Sequence, residues 1–194
     1  GGRYMIESKL GECVFTRSEI EKRVQEIAAE INQDYLGKRP LIISILRGAI
    51  FFTVDLVRSL TIPFDLDFMA LSNYKTGFKK VEIEKDVDEE VADRDVIIVE
   101  DIIDTGLTLN YLTRVMEKRF PSSVVTCTFL DCPDRRFIEV PIHYSCFEIP
   151  DIYVVGYGLD FRGDFRNLME IYTIYDPSGR STQILKQMGK GVPR

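Results

Sequence analysis

The sequence predicts an α/β fold: a mainly parallel sheet flanked by helices. Three observations carry that expectation. Short, largely apolar, β-branched runs recur at "PLIISIL" (40–46), "DVIIV" (95–99) and "SVVTCTFL" (123–130), as strands buried on both faces require. Stretches with helical spacing alternate with them. No repeat, low-complexity tract or Pro/Gly/Ser linker divides the 194 residues, so residues 1–194 read as one domain.

Taken in order, Ser18 followed by Glu21 gives a capping-box pattern. Ile20, Val24, Ile27, Ala28, Ile31 and Tyr35 then share one helical face, and Gly37 suits its end. After strand 40–46, "IFFTVDLVRSL" has helical spacing, and Pro63 precedes "FDLDFMAL" (64–71), which alternates as a strand does. From Ser72 to about Asp95 the chain is highly charged and predicted not to pack a core, although "KVEIEKDV" alternates like a hairpin arm. "LTLNYLTRVMEKRF" (107–120) spaces Leu109, Leu112, Val115 and Met116 for a helix that stops before Pro121. "DIYVVGYGLD" (151–160) and "MEIYTIY" (169–175) are further apolar runs.

Composition narrows the function. A hydrophobic content of 45% with 29% charged residues fits a globular domain. A net charge of −6 argues against sequence-independent nucleic-acid binding, which needs a clustered basic surface. No apolar run approaches a membrane span, and the N-terminal residues lack a signal-peptide core, so a cytoplasmic protein with no membrane partner is expected. Cys13, Cys127, Cys132 and Cys146 form no CxxC pair and read as reduced and mostly buried. His143 is the sole histidine and reads as structural or surface. A metal, if used, should be a hard cation on oxygen ligands, such as magnesium.

In a parallel sheet, ligands collect beyond the carboxyl ends of the strands. Four loops qualify: Arg47-Gly48, the acidic stretch 100–106, "DCPDRR" (131–136) and the turn near Gly158–Asp160. The second lies in "VIIVEDIIDTGLT" (96–108). Gly106 admits a ligand close to the backbone, Thr105 and Thr108 offer hydroxyls, and the N–H groups of a starting helix favour an anion. Glu100 and Asp101 would repel a phosphate but accept strong hydrogen bonds from vicinal hydroxyls. The stretch therefore reads as a sugar-phosphate cradle, with Asp104 placed to act as a general base. A solvated acidic turn capping a helix is the bland alternative. An aspartic-protease Asp-Thr-Gly needs a second, facing aspartate on a β-rich scaffold, against the α/β rhythm here. A phosphatase of doubly wound fold would carry its nucleophilic Asp after the first strand, where this chain has Arg47-Gly48.

The residues resemble the type I phosphoribosyltransferase family, more narrowly its hypoxanthine-guanine branch. "ILRGA" (45–49), "SNY" (72–74), "VIIVEDIIDTGLT", "FEIPDIYVVGYGLDF" (147–161) and "FRNL" (165–168) carry the likeness, in order, over roughly residues 10–175. The resemblance implies a sheet with a small hood and a mobile lid loop, about residues 72–95. It implies transfer of phosphoribose from 5-phosphoribosyl 1-pyrophosphate (PRPP) to a purine base, with magnesium, by a homodimer or homotetramer.

By that resemblance Glu100 and Asp101 contact the ribose hydroxyls, and they share magnesium ligation with Asp160. Asp104 assists proton transfer from the purine, and Thr105, Gly106, Leu107 and Thr108 hold the 5′-phosphate. Leu46, Arg47 and Gly48, often with a cis peptide, bind pyrophosphate together with Arg166. Tyr153 stacks on the purine, the Val154 backbone reads its edge, and Asn73 and Tyr74 belong to the lid. One departure stands out. At Cys132 the family has lysine, whose ammonium donates to the 6-oxo group of the base. A thiol is a weak, uncharged donor. Arg135 or Arg136 could take that place, the base preference could differ, or the chain could be a non-catalytic PRPP- or nucleotide-binding protein.

Overall fold

The computed structural model describes residues 10–72, 82–175 and 177–187. Its main sheet has six strands: β2 (Leu41–Leu46), β3 (Asp65–Leu71), β4 (Ile83–Lys85), β5 (Asp95–Ile103), β6 (Ser123–Asp131) and β7 (Tyr144–Glu148). Their order is β4-β3-β2-β5-β6-β7; all pairs are parallel except β3 with β4. Register pairs Ile43 with Ile98 and Ile97 with Val125.

The pleat divides the apolar runs between two layers. Leu41, Ile43, Ile45, Val96 and Ile98 pack with Leu109, Leu112 and Met116 of helix α3 (Leu107–Glu117). Ile42, Ile97, Val99, Cys127 and Phe129 face helix α1 (Arg17–Asp34) and helix α2 (Ile50–Arg58). The mainly parallel sheet flanked by helices is thus as expected, and both strand faces are buried because helices cover both. A smaller antiparallel sheet, ordered β1-β9-β8, forms the hood from β1 (Leu10–Phe15), β8 (Val154–Val155) and β9 (Ile171–Ile174). Helix α4 (Arg180–Gln187) follows it. Among the described residues no helix is long and apolar enough to cross a membrane.

Three expectations need correction. The capping box of α1 is Thr16/Glu19, not Ser18/Glu21: Thr16 Oγ1 accepts from the Glu19 N–H at 3.4 Å, and the Thr16 N–H donates to Glu19 Oε2 at 2.8 Å. Both pairs satisfy the sequence pattern; the end of β1 at Phe15 decides, because Thr16 is the first residue free of the strand. Second, Glu100 and Asp101 lie within β5 rather than in a loop. The ladder to β6 continues through Ile103 opposite Asp131, so the acids ride on paired backbone at the mouth of the sheet.

Third, residues 82–95 do pack. The Asp67 carboxylate accepts from the backbone N–H of Asp88 (2.6 Å) and Glu89 (2.9 Å), and Val91 is buried in the α3-side core. Asn73 and Tyr74 lie outside the described residues. Cys146 is buried as expected, Tyr144 is buried with it, and His143 is structural: its Nδ1 accepts from the Thr126 N–H at 3.1 Å.

Candidate active site

The four loops named from the sequence meet at the carboxyl end of the main sheet. β2 ends in Leu46-Arg47, joined by a cis peptide, as the resemblance implied. Gly48 follows, packed so tightly that a Cβ there would lie 1.6 Å from Asp101 Oδ2. On the other side, a Cβ on Gly158 would lie 2.0 Å from the Gly48 carbonyl oxygen. Only the absence of side chains at both glycines lets these three segments touch. Arg166 ties the third in place: Nη1 donates to the Gly158 carbonyl at 2.6 Å and Nη2 pairs with Asp160 Oδ1 at 2.7 Å.

The fourth loop is bound to the Asp-Thr-Gly turn. Arg136 donates from Nε to the Asp104 carbonyl at 2.9 Å and pairs through Nη2 with Asp131. The N–H groups of Phe137 and Ile138 both donate to the Thr105 carbonyl at 2.9 Å. Gly106 caps α3 with φ +81°, and a Cβ there would lie 2.3 Å from the Ile138 carbonyl oxygen. Gly106 has no side chain to cap the helix; the Leu107 N–H reaches Thr105 Oγ1 at 3.4 Å, and the other N–H groups of the first turn favour an anion. Leu107 and Thr108 are exposed at this end.

Charge in the cleft is uneven. Burial, reinforced by Asp101 and Asp104, pushes the Glu100 carboxyl well above its ordinary range. Burial likewise raises Asp101 to about 6, against the pull of the Ile102 N–H. Asp104 is more open; its Oδ1 accepts from the Thr105 N–H at 2.7 Å. Clustered acids of this kind suit a hydroxylated ligand or a cation.

Among the described residues, however, no three His, Cys, Asp or Glu side chains form a ready-made metal cage. Asp160 is engaged by Arg166 and by the Gly163 N–H at 2.6 Å. The donors present are oxygens, and the arrangement fits a magnesium ion that takes one or two carboxylates and completes its shell from substrate and water.

The expected base pocket is only partly assembled. Tyr153 is half exposed, set edge-on to Phe161, and its hydroxyl donates to the Asp160 carbonyl at 3.0 Å. Val154 lies in β8, the edge strand of the hood. Cys132 does not face the cleft. It is buried, with Sγ directed at the Pro150 carbonyl at 3.5 Å, and burial raises its thiol pKa. Sequence reasoning missed Asp131 and Asp151. Asp131 clamps Arg136, and Asp151 lies 3.1 Å from Arg135 Nε. Their signal was available in an acid-rich, arginine-rich turn at a strand end, but pairing partners cannot be read from one-dimensional order.

Residues 14–162 match the sequence model of the phosphoribosyl transferase domain. The chain belongs to the phosphoribosyltransferase family. It is 40% identical over 162 residues to the hypoxanthine phosphoribosyltransferase of Salmonella typhimurium, covering 81% of this chain and 91% of that one. It is 38% identical over 167 residues to the hypoxanthine-guanine phosphoribosyltransferase of Streptococcus pneumoniae, covering 84% and 93%. The crystal structure of a hypoxanthine phosphoribosyltransferase from Staphylococcus aureus superposes with a TM-score of 0.85 at 34% identity, covering 93% of this chain and 99% of that one. A phosphoribosyltransferase accounts for a cleft that offers acids and helix N–H groups side by side.

Proposed function

We propose that this phosphoribosyltransferase salvages purines: hypoxanthine or guanine plus PRPP gives the nucleoside 5′-monophosphate plus pyrophosphate. The observation that carries the reading is the meeting of Gly48, Asp101 and Gly158 beside the open N-terminus of α3. A sugar bearing a 5′-phosphate and a 1-pyrophosphate would have acids at its hydroxyls, helix N–H groups at one end and Leu46-Arg47-Gly48 with Arg166 at the other.

In this reading Glu100 and Asp101 accept from the ribose hydroxyls, while Thr105, Gly106, Leu107 and Thr108 hold the 5′-phosphate. Glu100, Asp101 and Asp160 are the carboxylates that would be available to hold magnesium, which when bound would neutralise charge on the leaving pyrophosphate. The anomeric C–O bond breaks, a purine ring nitrogen supplies the electron pair for the new C–N bond, and the proton that nitrogen carried passes to Asp104. Tyr153 stacks on the base and the Val154 backbone reads its edge. Exclusion of water protects the oxocarbenium-like sugar from hydrolysis; Asn73 and Tyr74 are assigned to the lid that does this. The working form is a cytoplasmic homodimer or homotetramer. The exposed apolar face of Ile50, Phe51 and Val54 on α2 supports self-association.

The test is PRPP- and magnesium-dependent nucleotide formation with hypoxanthine, guanine, xanthine and adenine, resolved by chromatography. Inosine or guanosine monophosphate should accumulate with stoichiometric pyrophosphate. No nucleotide from either 6-oxopurine, at any magnesium concentration, would overturn the reading.

A further inference from the structure

The base end of the cleft poses a specific problem. The side chain at 132 is buried against Pro150 and offers the cleft no cationic donor. Three arginines lie near enough to be considered. Arg136 is largely buried and spent on Asp131 and on the Asp104 carbonyl, where it holds two strand ends together. Arg166 is spent on Gly158 and Asp160. Arg135 is different. It ends the 3-10 turn Pro133–Arg135, its side chain is 44% exposed, and its guanidinium spans two carboxylates from two other loops.

Those two carboxylates locate it. Nε is 3.1 Å from Asp151 Oδ1, and Asp151 lies two residues before Tyr153. Nη1 is 3.9 Å from Asp104 Oδ2, too long for a hydrogen bond. A planar base resting on Tyr153 and giving a proton to Asp104 would therefore have its edge toward this guanidinium. The fork can keep Asp151 through Nε and still turn Nη1 or Nη2 to an acceptor on the base.

Building on the purine-salvage reading above, we propose that Arg135 is the residue that selects 6-oxopurines in this chain. It donates to the exocyclic oxygen, with Asp151 fixing its orientation. A guanidinium only donates, so it meets an oxo group favourably and a 6-amino group unfavourably. That asymmetry gives both affinity and discrimination. A structural arginine that merely neutralised Asp104 and Asp151 would affect all bases alike.

The experiment measures kcat and KM for hypoxanthine, guanine and adenine on wild type, Arg135→Ala, Arg135→Lys and the double variant Cys132→Lys/Arg135→Ala. Binding of inosine and adenosine monophosphates is measured on the same proteins by calorimetry. Arg135→Ala should raise the hypoxanthine KM about 10- to 100-fold, the range for a lost charged hydrogen bond, with a smaller change in kcat. Adenine constants should not worsen, and Arg135→Lys should recover much of the loss. An unchanged hypoxanthine KM, or an equal loss for every base, would overturn the assignment. If wild type turns over no base, the salvage reading fails by itself. Arg135 is then judged on binding: loss of preference for inosine over adenosine monophosphate upholds it, and an unchanged preference overturns it.

Discussion

Alanine at Gly106 should be far more damaging than alanine at Gly37, although both glycines adopt left-handed backbone, with φ +81° and +76°. At Gly37 a Cβ would meet nothing within 4 Å. Gly37→Ala therefore carries only the left-handed penalty of about 1–2 kcal/mol. At Gly106 the same penalty applies, and the new Cβ also lands 2.3 Å from the Ile138 carbonyl oxygen and 3.2 Å from Arg136 Cδ. Relief requires moving the 136–138 backbone by about 1 Å, against two hydrogen bonds to Thr105 and the Arg136 clamp; forced overpacking of this kind costs about 1–3 kcal/mol more. The total is about 2–5 kcal/mol. With roughly 2–4 °C per kcal/mol for a domain this size, the Tm of Gly106→Ala should fall by about 4–20 °C and that of Gly37→Ala by about 2–8 °C. Urea unfolding of both variants, each referred to wild type, provides the free energies directly. If Gly106→Ala costs no more than Gly37→Ala, then the close approach of residues 136–138 to the Asp-Thr-Gly turn is not what Gly106 serves, and the argument fails.

Two further outcomes test other parts of the structure. Asp65 accepts from Arg39 (2.6 Å) and Arg94 (2.5 Å), and chiefly the Arg39 hydrogen bond pulls its pKa down to about 2. A carboxyl depressed in the folded state stabilises above its unfolded pKa of about 3.9 and loses that contribution as pH falls through the folded value. The Tm gap between wild type and Asp65→Asn should be full at pH 6 and shrink between pH 4 and about 2; a gap that widens in acid would refute the pairing. Thr16→Ala should destabilise by about 1 kcal/mol, whereas Ser18→Ala should stay within about 0.5 kcal/mol in chemical denaturation; the reverse order would restore Ser18 as the cap.

The parts of this molecule legible in sequence are those governed by local pattern. The runs 40–46, 95–99 and 123–130 are strands because β-branched apolar residues were buried on both faces, and the gathering of the four loops at one end of the sheet followed from strand direction alone. What was not legible depends on partners distant in sequence. β5 runs past the apolar run into Glu100 and Asp101 because β6 keeps pairing with it. Val91 sits in a charge-rich segment yet is buried, because the Asp67 carboxylate satisfies the N–H groups of Asp88 and Glu89 just ahead of it. Cys132 reads as a cleft residue by position and as a core residue by packing, since the chain turns at Pro133 and sends Sγ toward Pro150. Arg135 and Arg136 stand as equal candidates in the sequence; only the placing of Arg135 between Asp104 and Asp151, 47 positions apart, tells them apart.

The contact among Gly48, Asp101 and Gly158 has a consequence for when the molecule can first engage a ligand. The three residues come from widely separated points in the chain, and Arg166 secures the last of them. During synthesis the β2–β5 core can begin to form once residue 103 has emerged, since chains fold from the N-terminal side as they are made. The end of the cleft where Gly48 meets Gly158 stays unfinished until residues beyond 166 are available. A nascent chain halted before that point would possess a sheet and its acids but no closed cleft. Ligand binding would then report completion of the hood rather than formation of the core.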